Sequence, residues 1–135
     1  MPILTNTLEQ PDEPRRGAVW SIAEPDRELD ANLIRLPPHA EIPSHVGAEV
    51  DTLLHVVRGS GVLVTEDDEQ PLRPGDVALL PRRTVRGIRA DGDGLEYLTV
   101  HRRRRSLQIQ SGPSTVSGSA SSASESSTAS SRRSS

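Results

Sequence analysis

Cysteine, phenylalanine and lysine are absent from this chain, and its aromatic side chains are reduced to Trp20 and Tyr97. Without cysteine there is no disulfide framework, no thiolate metal site and no thiol nucleophile. Without aromatic bulk the core has to be aliphatic. Long apolar runs are missing too, none approaching the ~18 residues of a membrane span. The opening MPILTNTLEQPDEPRR lacks both the basic start and the apolar stretch of a secretory signal. A cytoplasmic protein is therefore the default expectation. A formal net charge of −3 provides no global attraction to nucleic acid or to an anionic membrane, so neither is expected as a partner. All 16 basic residues are arginine; this reads as compositional bias, although the guanidinium suits bidentate anion binding.

What is present, in 135 residues, is enough for one domain with one modest core. Residues 1–16, rich in proline and charge, read as a flexible arm, and residues 17–110 as the folded domain. Gly17 to Ala23 is a strand candidate with Trp20 as a core-edge anchor or a pocket wall. Asp30 to Leu36 is a second strand, stopped by Pro37-Pro38, and Glu41 to Ser44 is a short extended piece that delivers His45. The stretch from His45 to Gly61 organises the rest. Its apolar run, Asp51 to Arg58, ends at Gly59-Ser60-Gly61 and is followed by Val62-Leu63-Val64, the pattern of a hairpin with a polar site at its mouth. Ser60 to Thr65 is then the returning strand and Glu66 to Glu69 an acidic loop tip. Leu72 to Asp76 is a tight turn, with Pro74 and Gly75 setting its dihedrals. Val77 to Pro81, Thr84 to Ala90 and Leu95 to His101 follow as strands, the last two separated by an Asp91-Gly92-Asp93-Gly94 turn. Seven or eight short strands without any stripe of helical period imply an all-β sandwich or barrel.

From Ser111 the composition changes, with 13 serines in the last 25 residues. Such a segment buries too little apolar surface to offset its ordering entropy, so residues 111–135 are expected to be disordered. The run Arg102 to Arg105 reads as a solvated strand end, because neither a helix-turn-helix pattern nor an aromatic platform accompanies it.

Two glycine-anchored patterns resemble the motifs of the cupin superfamily, small jelly-roll barrels also described as double-stranded β-helices. The resemblance covers roughly residues 17–105. The first cupin motif is HxH, three or four residues, Glu, six residues, Gly; the second is Gly, five residues, PxG, two residues, His. Gly59 fits the closing glycine of the first, and Gly75-Asp-Val-Ala-Leu-Leu-Pro81 fits the start of the second. Counting from these anchors, His45 takes the first histidine position, Gly47 the second, Thr52 the glutamate, Arg83 the PxG glycine and Arg86 the last histidine. The resemblance implies the jelly-roll fold, a homodimer paired through sheet edges or faces, and a metal pocket of which only the His45 position is kept. Arg86 is a permanent cation without a lone pair and cannot ligate, so the full metal motif is not expected.

The leading functional expectation is a barrel that binds a small anionic or polyhydroxylated molecule. Arg86 is its charge clamp, His45 its hydrogen-bond or proton donor, and Glu49, Thr52 and Tyr97 its further ligand-binding residues. Arg86 equally suits a structural ion pair with Asp51 or Glu49. The alternative is an enzyme, a dioxygenase or isomerase, that holds Fe, Mn, Zn or Ni through His45 and a nonstandard set drawn from Glu49, Asp51, His55 and His101. In a metal-free isomerase, His45 is the catalytic general base. Against the metal set, Asp51 and His55 share a strand face but stand roughly 13 Å apart, and His55 faces away from position 52. His55 reads as a buried, satisfied histidine and His39 as exposed loop. Tyr97, Thr99 and His101 alternate onto one face of the last strand, towards the barrel mouth. A sensor or accessory module, hinted at by the tail, is the third class.

Overall fold

A computed structural model of the chain describes residues 2–12 and 16–104; the serine-rich segment expected to be disordered lies outside them. Every regular element among the described residues is a strand: β1 (Gly17–Ser21), β2 (Leu29–Leu36), β3 (Glu41–Val46), β4 (Thr52–Thr65), β5 (Glu69–Leu72), β6 (Val77–Leu80) and β7 (Val85–Arg102). The expected all-β class follows from the same period-2 alternation seen in burial, as in β4, where Thr52, Leu54 and Val56 are buried and Leu53 and His55 are exposed.

The two long strands, β4 and β7, form the spine. They pair antiparallel from Thr52 opposite His101 to Thr65 opposite Arg86. On one side of their midpoint, β6 flanks β4 and β2 flanks β7, with β1 outside β2. On the other side, β5 flanks β4 and β3 flanks β7. Bending this spine folds one half of the sheet over the other, which is the jelly-roll solution for an antiparallel sheet with one apolar face. Leu36, Leu54, Val56 and Tyr97 from one half meet Leu63, Leu72 and Ile88 from the other in a single core cluster.

The hairpin expected at Gly59-Ser60-Gly61 is not there. β4 runs straight through it, and the register against β7 slips twice, between Val56 and Arg58 and between Gly59 and Gly61. The expected Asp91–Gly94 turn is likewise no chain reversal. Gly59 stands opposite Leu95 and Gly61 opposite Ala90, so on β4 only Ser60 lies between the partners that flank residues 91–94. The two glycine-rich stretches are thus the two layers of one bend. Bulges of this kind kink a strand without ending it, and Gly59 has φ +81°, a conformation that costs other residues a penalty. The chain reverses at the end of β4 instead, where Thr65 N–H donates to Asp68 O at 2.9 Å and leads β4 into β5.

Glu96, only 6% exposed, sits opposite both Arg35 and Arg58 in register. Its carboxylate pairs with Arg35 Nε at 2.5 Å and with Arg58 Nε at 3.1 Å. Both arginines reach on to the amino-terminal arm: Arg35 Nη1 donates to Pro11 O at 2.9 Å and Arg58 Nη2 to Thr7 O at 3.1 Å. Removing a buried partner strands the charges it neutralised, which typically costs 3–5 kcal/mol. Arg58 is half solvated, so Glu96→Ala is expected to cost about 3 kcal/mol. Urea denaturation checks this, and a loss under about 1 kcal/mol would show that the carboxylate contributes no more than a surface pair.

Candidate functional site

Two loops close the barrel at the end away from the bend, residues 47–51 between β3 and β4 and residues 81–84 between β6 and β7. They are laced together by backbone bonds, with Gly47 N–H donating to Thr84 O and Arg83 N–H to Ala48 O, both at 2.9 Å. Asp51 Oδ1 accepts from the Arg82 N–H at 2.9 Å, and Val50 of the first loop is buried. Arg83 adopts φ +60°. It therefore keeps the left-handed backbone for which a glycine is ordinarily chosen.

Arg86 lies on the inner face of β7, two positions before the core residue Ile88, and is 8% exposed. Its Nη1 donates to Pro81 O at 3.0 Å and approaches Thr84 Oγ1 at 3.4 Å. Thr84 Oγ1 itself donates to Pro81 O at 2.7 Å, which fixes the turn. The guanidinium lies directly on Gly47, where a β-carbon would overlap Cζ, Nη1 and Nε. Burial lowers the pKa of Arg86 from its ordinary value, yet a guanidinium stays charged at neutral pH. Neither acid that was expected to pair with it does so. Glu49 binds Arg83 Nη1 at 3.1 Å and Asp51 stands 3.7 Å from Arg82 Nη1. Among the described residues no carboxylate pairs with Arg86, and no protein acceptor bonds its Nε or Nη2.

His45 is brought beside this cation, opposite Arg86 in register and therefore on the same face of the sheet, with its side chain exposed at the barrel's end. Its Nδ1 lies 2.9 Å from Pro43 O. A carbonyl only accepts, so Nδ1 carries the proton and Nε2 is the atom left for other contacts. Thr52, 8% exposed, faces His101 and Leu80 across the sheet. His101 thereby shares the inner face of β7 with Thr99 and Tyr97, and its Nδ1 is engaged with Arg102 O at 2.8 Å. Tyr97 belongs to the apolar core cluster, and its burial raises the phenol pKa. His55 is exposed on the outer face, opposite Val77 and Leu98, rather than buried. His39 is exposed, as expected, and holds φ +65°. Sequence reasoning did not reach the Pro81 carbonyl or the Thr84 hydroxyl. The only local signal for them is the polar turn immediately before Arg86.

A sequence model of the cupin domain matches residues 32–101. The chain belongs to the cupin family. Solved cupin-like structures share the fold at low identity. A protein from Bacillus halodurans is 18% identical at TM-score 0.62, covering 78% of this cupin and 83% of that chain. A cupin superfamily protein from Desulfitobacterium hafniense is 20% identical at TM-score 0.60, covering 71% and 84%. KdgF from a Halomonas species is 25% identical at TM-score 0.55, covering 65% and 80%. The cupin domain of Schizosaccharomyces pombe Cnp3 is matched over 63% of either chain at 14% identity and TM-score 0.56. Comparison with curated protein sequences finds no match.

The metal associated with cupins does not fit the donor set this cupin presents. At the motif positions stand His45, a glycine, a threonine and a buried cation, and among the described residues no three histidine, aspartate or glutamate side chains converge on one point. The space a second motif side chain would use is filled by the Arg86 guanidinium, whose charge repels a divalent ion. Among the described residues no helix is long and apolar enough to cross a membrane.

Proposed function

We propose that this cupin binds a small organic anion, a carboxylate or an acidic polyhydroxylated compound, in its barrel without the usual cupin metal centre. The observation that carries the proposal is the buried Arg86 guanidinium, which has no carboxylate partner among the described residues while Glu49 and Asp51 are taken up by Arg83 and Arg82. A buried charge is ordinarily paired. Nε and Nη2 form the flat two-donor edge that matches a carboxylate or phosphate. In this scheme His45 Nε2 and the Thr52 hydroxyl orient the ligand, and Glu49 serves by holding Arg83. The test is calorimetry on metal-free protein with a panel of mono- and dicarboxylates, sugar acids and inorganic phosphate. Stabilisation by at least one of them, lost in Arg86→Met, supports the proposal; no response to any of them overturns it.

We further propose that the protein is cytoplasmic and a homodimer. Supporting the dimer, Leu53, Val77 and Leu79 are exposed and adjacent on the outer face of β4 and β6, next to Leu98 and Val100 of β7. Contiguous apolar surface of this kind marks association sites, and a second copy supplies a matching face. Sedimentation is expected to give a dimer for the wild type and a monomer for Leu79→Glu. A monomeric wild type sinks this part.

A further inference from the structure

Gly47 is not a glycine that its backbone demands. Among the described residues the glycines with positive φ are Gly17, Gly59, Gly75 and Gly94, so the conformation at position 47 is open to any residue. The three atoms nearest to a β-carbon built there are Cζ, Nη1 and Nε of Arg86. What excludes a side chain at Gly47 is therefore the guanidinium, and what lets the guanidinium lie there is the missing side chain. From that seat Nη1 reaches Pro81 O at 3.0 Å. Gly47 N–H, bonded to Thr84 O at 2.9 Å, ties the seat to the turn that supplies the acceptor.

We infer that Gly47 is a positioning residue whose bare Cα seats Arg86, so that any side chain at position 47 displaces the guanidinium and weakens anion binding at least tenfold with Arg86 still in the chain. The inference rests on the anion-binding proposal for its consequence, but its geometric half stands separately. The atoms that meet the added carbon are the end of a long flexible side chain, so they can swing away and leave the fold intact. A core glycine held by backbone collisions behaves differently, because there nothing can yield.

The experiment compares wild type, Gly47→Ala, Arg86→Ala and Gly47→Ala/Arg86→Ala by thermal unfolding, alone and with succinate or inorganic phosphate. Gly47→Ala is expected to melt cooperatively a few degrees below the wild type, which corresponds to a loss of about 1 kcal/mol or less. In the Arg86→Ala background the same substitution should leave the melting temperature unchanged, because the three atoms nearest to the added carbon are then gone; that non-additivity is the signature of direct contact. Anion affinity should fall at least tenfold in Gly47→Ala. An equal fall in melting temperature in both backgrounds, or wild-type anion affinity in Gly47→Ala, overturns the inference. If the wild type responds to neither anion, the binding proposal fails for these probes and the unfolding cycle alone decides whether Gly47 seats Arg86.

Discussion

Arg86→Met is expected to raise the melting temperature of the ligand-free protein while removing its response to anions. The guanidinium is buried with no counter-charge among the described residues, and desolvating an ion costs several kcal/mol that its two neutral acceptors offset only partly. Methionine keeps most of the length and adapts to irregular space. The bond to Pro81 O is lost, but that carbonyl still accepts from Thr84 Oγ1 at 2.7 Å, so no buried acceptor is orphaned. Replacing buried ions by apolar residues of similar volume is often stabilising by 1–4 kcal/mol. About 1 kcal/mol is the expected gain here, or roughly 4–8 °C in a domain of this size. Binding goes the other way. Two charge-assisted hydrogen bonds at about 1.5–3 kcal/mol each imply a loss of at least 100-fold in affinity. Scanning calorimetry with and without anion reads both effects. A ligand-free melting temperature more than about 5 °C below the wild type would identify Arg86 as a structural staple instead.

Gly59→Ala carries the other large expected effect, the loss of more than about 4 kcal/mol and of a cooperatively folded barrel. Gly59 has φ +81°, and a β-carbon on it would run into the carbonyl oxygen and carbon of Gly94 and come within 3.0 Å of Leu95 Cα. Both obstacles are backbone, at the point where β4 and β7 bend together. The dihedral penalty alone is of order 1–3 kcal/mol, and the collision cannot be relieved by a rotamer change. The contrast with Gly47 is sharp, because there a side chain gives way. Circular dichroism and urea unfolding decide the matter, and a variant within 1 kcal/mol of the wild type would show that the bend can open by sliding the two strands.

Much of the fold was legible because strand signals are local. Alternation and turn residues marked β1, β2, β6 and the Leu72–Asp76 turn, where Arg73 N–H donates to Asp76 Oδ2 at 3.0 Å. The Gly59-Ser60-Gly61 stretch has the sequence of a turn because an apolar run on each side of a glycine pair looks the same whether the chain reverses or bends. What decides is the partner, and both halves of β4 pair with β7. At the site, Arg86 and His45 were legible from their spacing to Gly59 and Gly75. The partners of Glu49 and Asp51 were not. Three arginines, Arg82, Arg83 and Arg86, stand within five residues of one another, and which of them meets each acid depends on how two loops cross.

The sequence by itself determined the all-β class, the family motifs and the substitution of Gly47, Thr52 and Arg86 at ligand positions, because residue identity and spacing are local properties. Only the tertiary structure decided that the spine bends instead of turning, and that Tyr97 packs into the core. It also decided that Arg86 rests on Gly47 with its charge uncompensated by any described carboxylate. Those outcomes depend on segments such as residues 49 and 83, 34 positions apart in the chain, and no local pattern encodes how they meet.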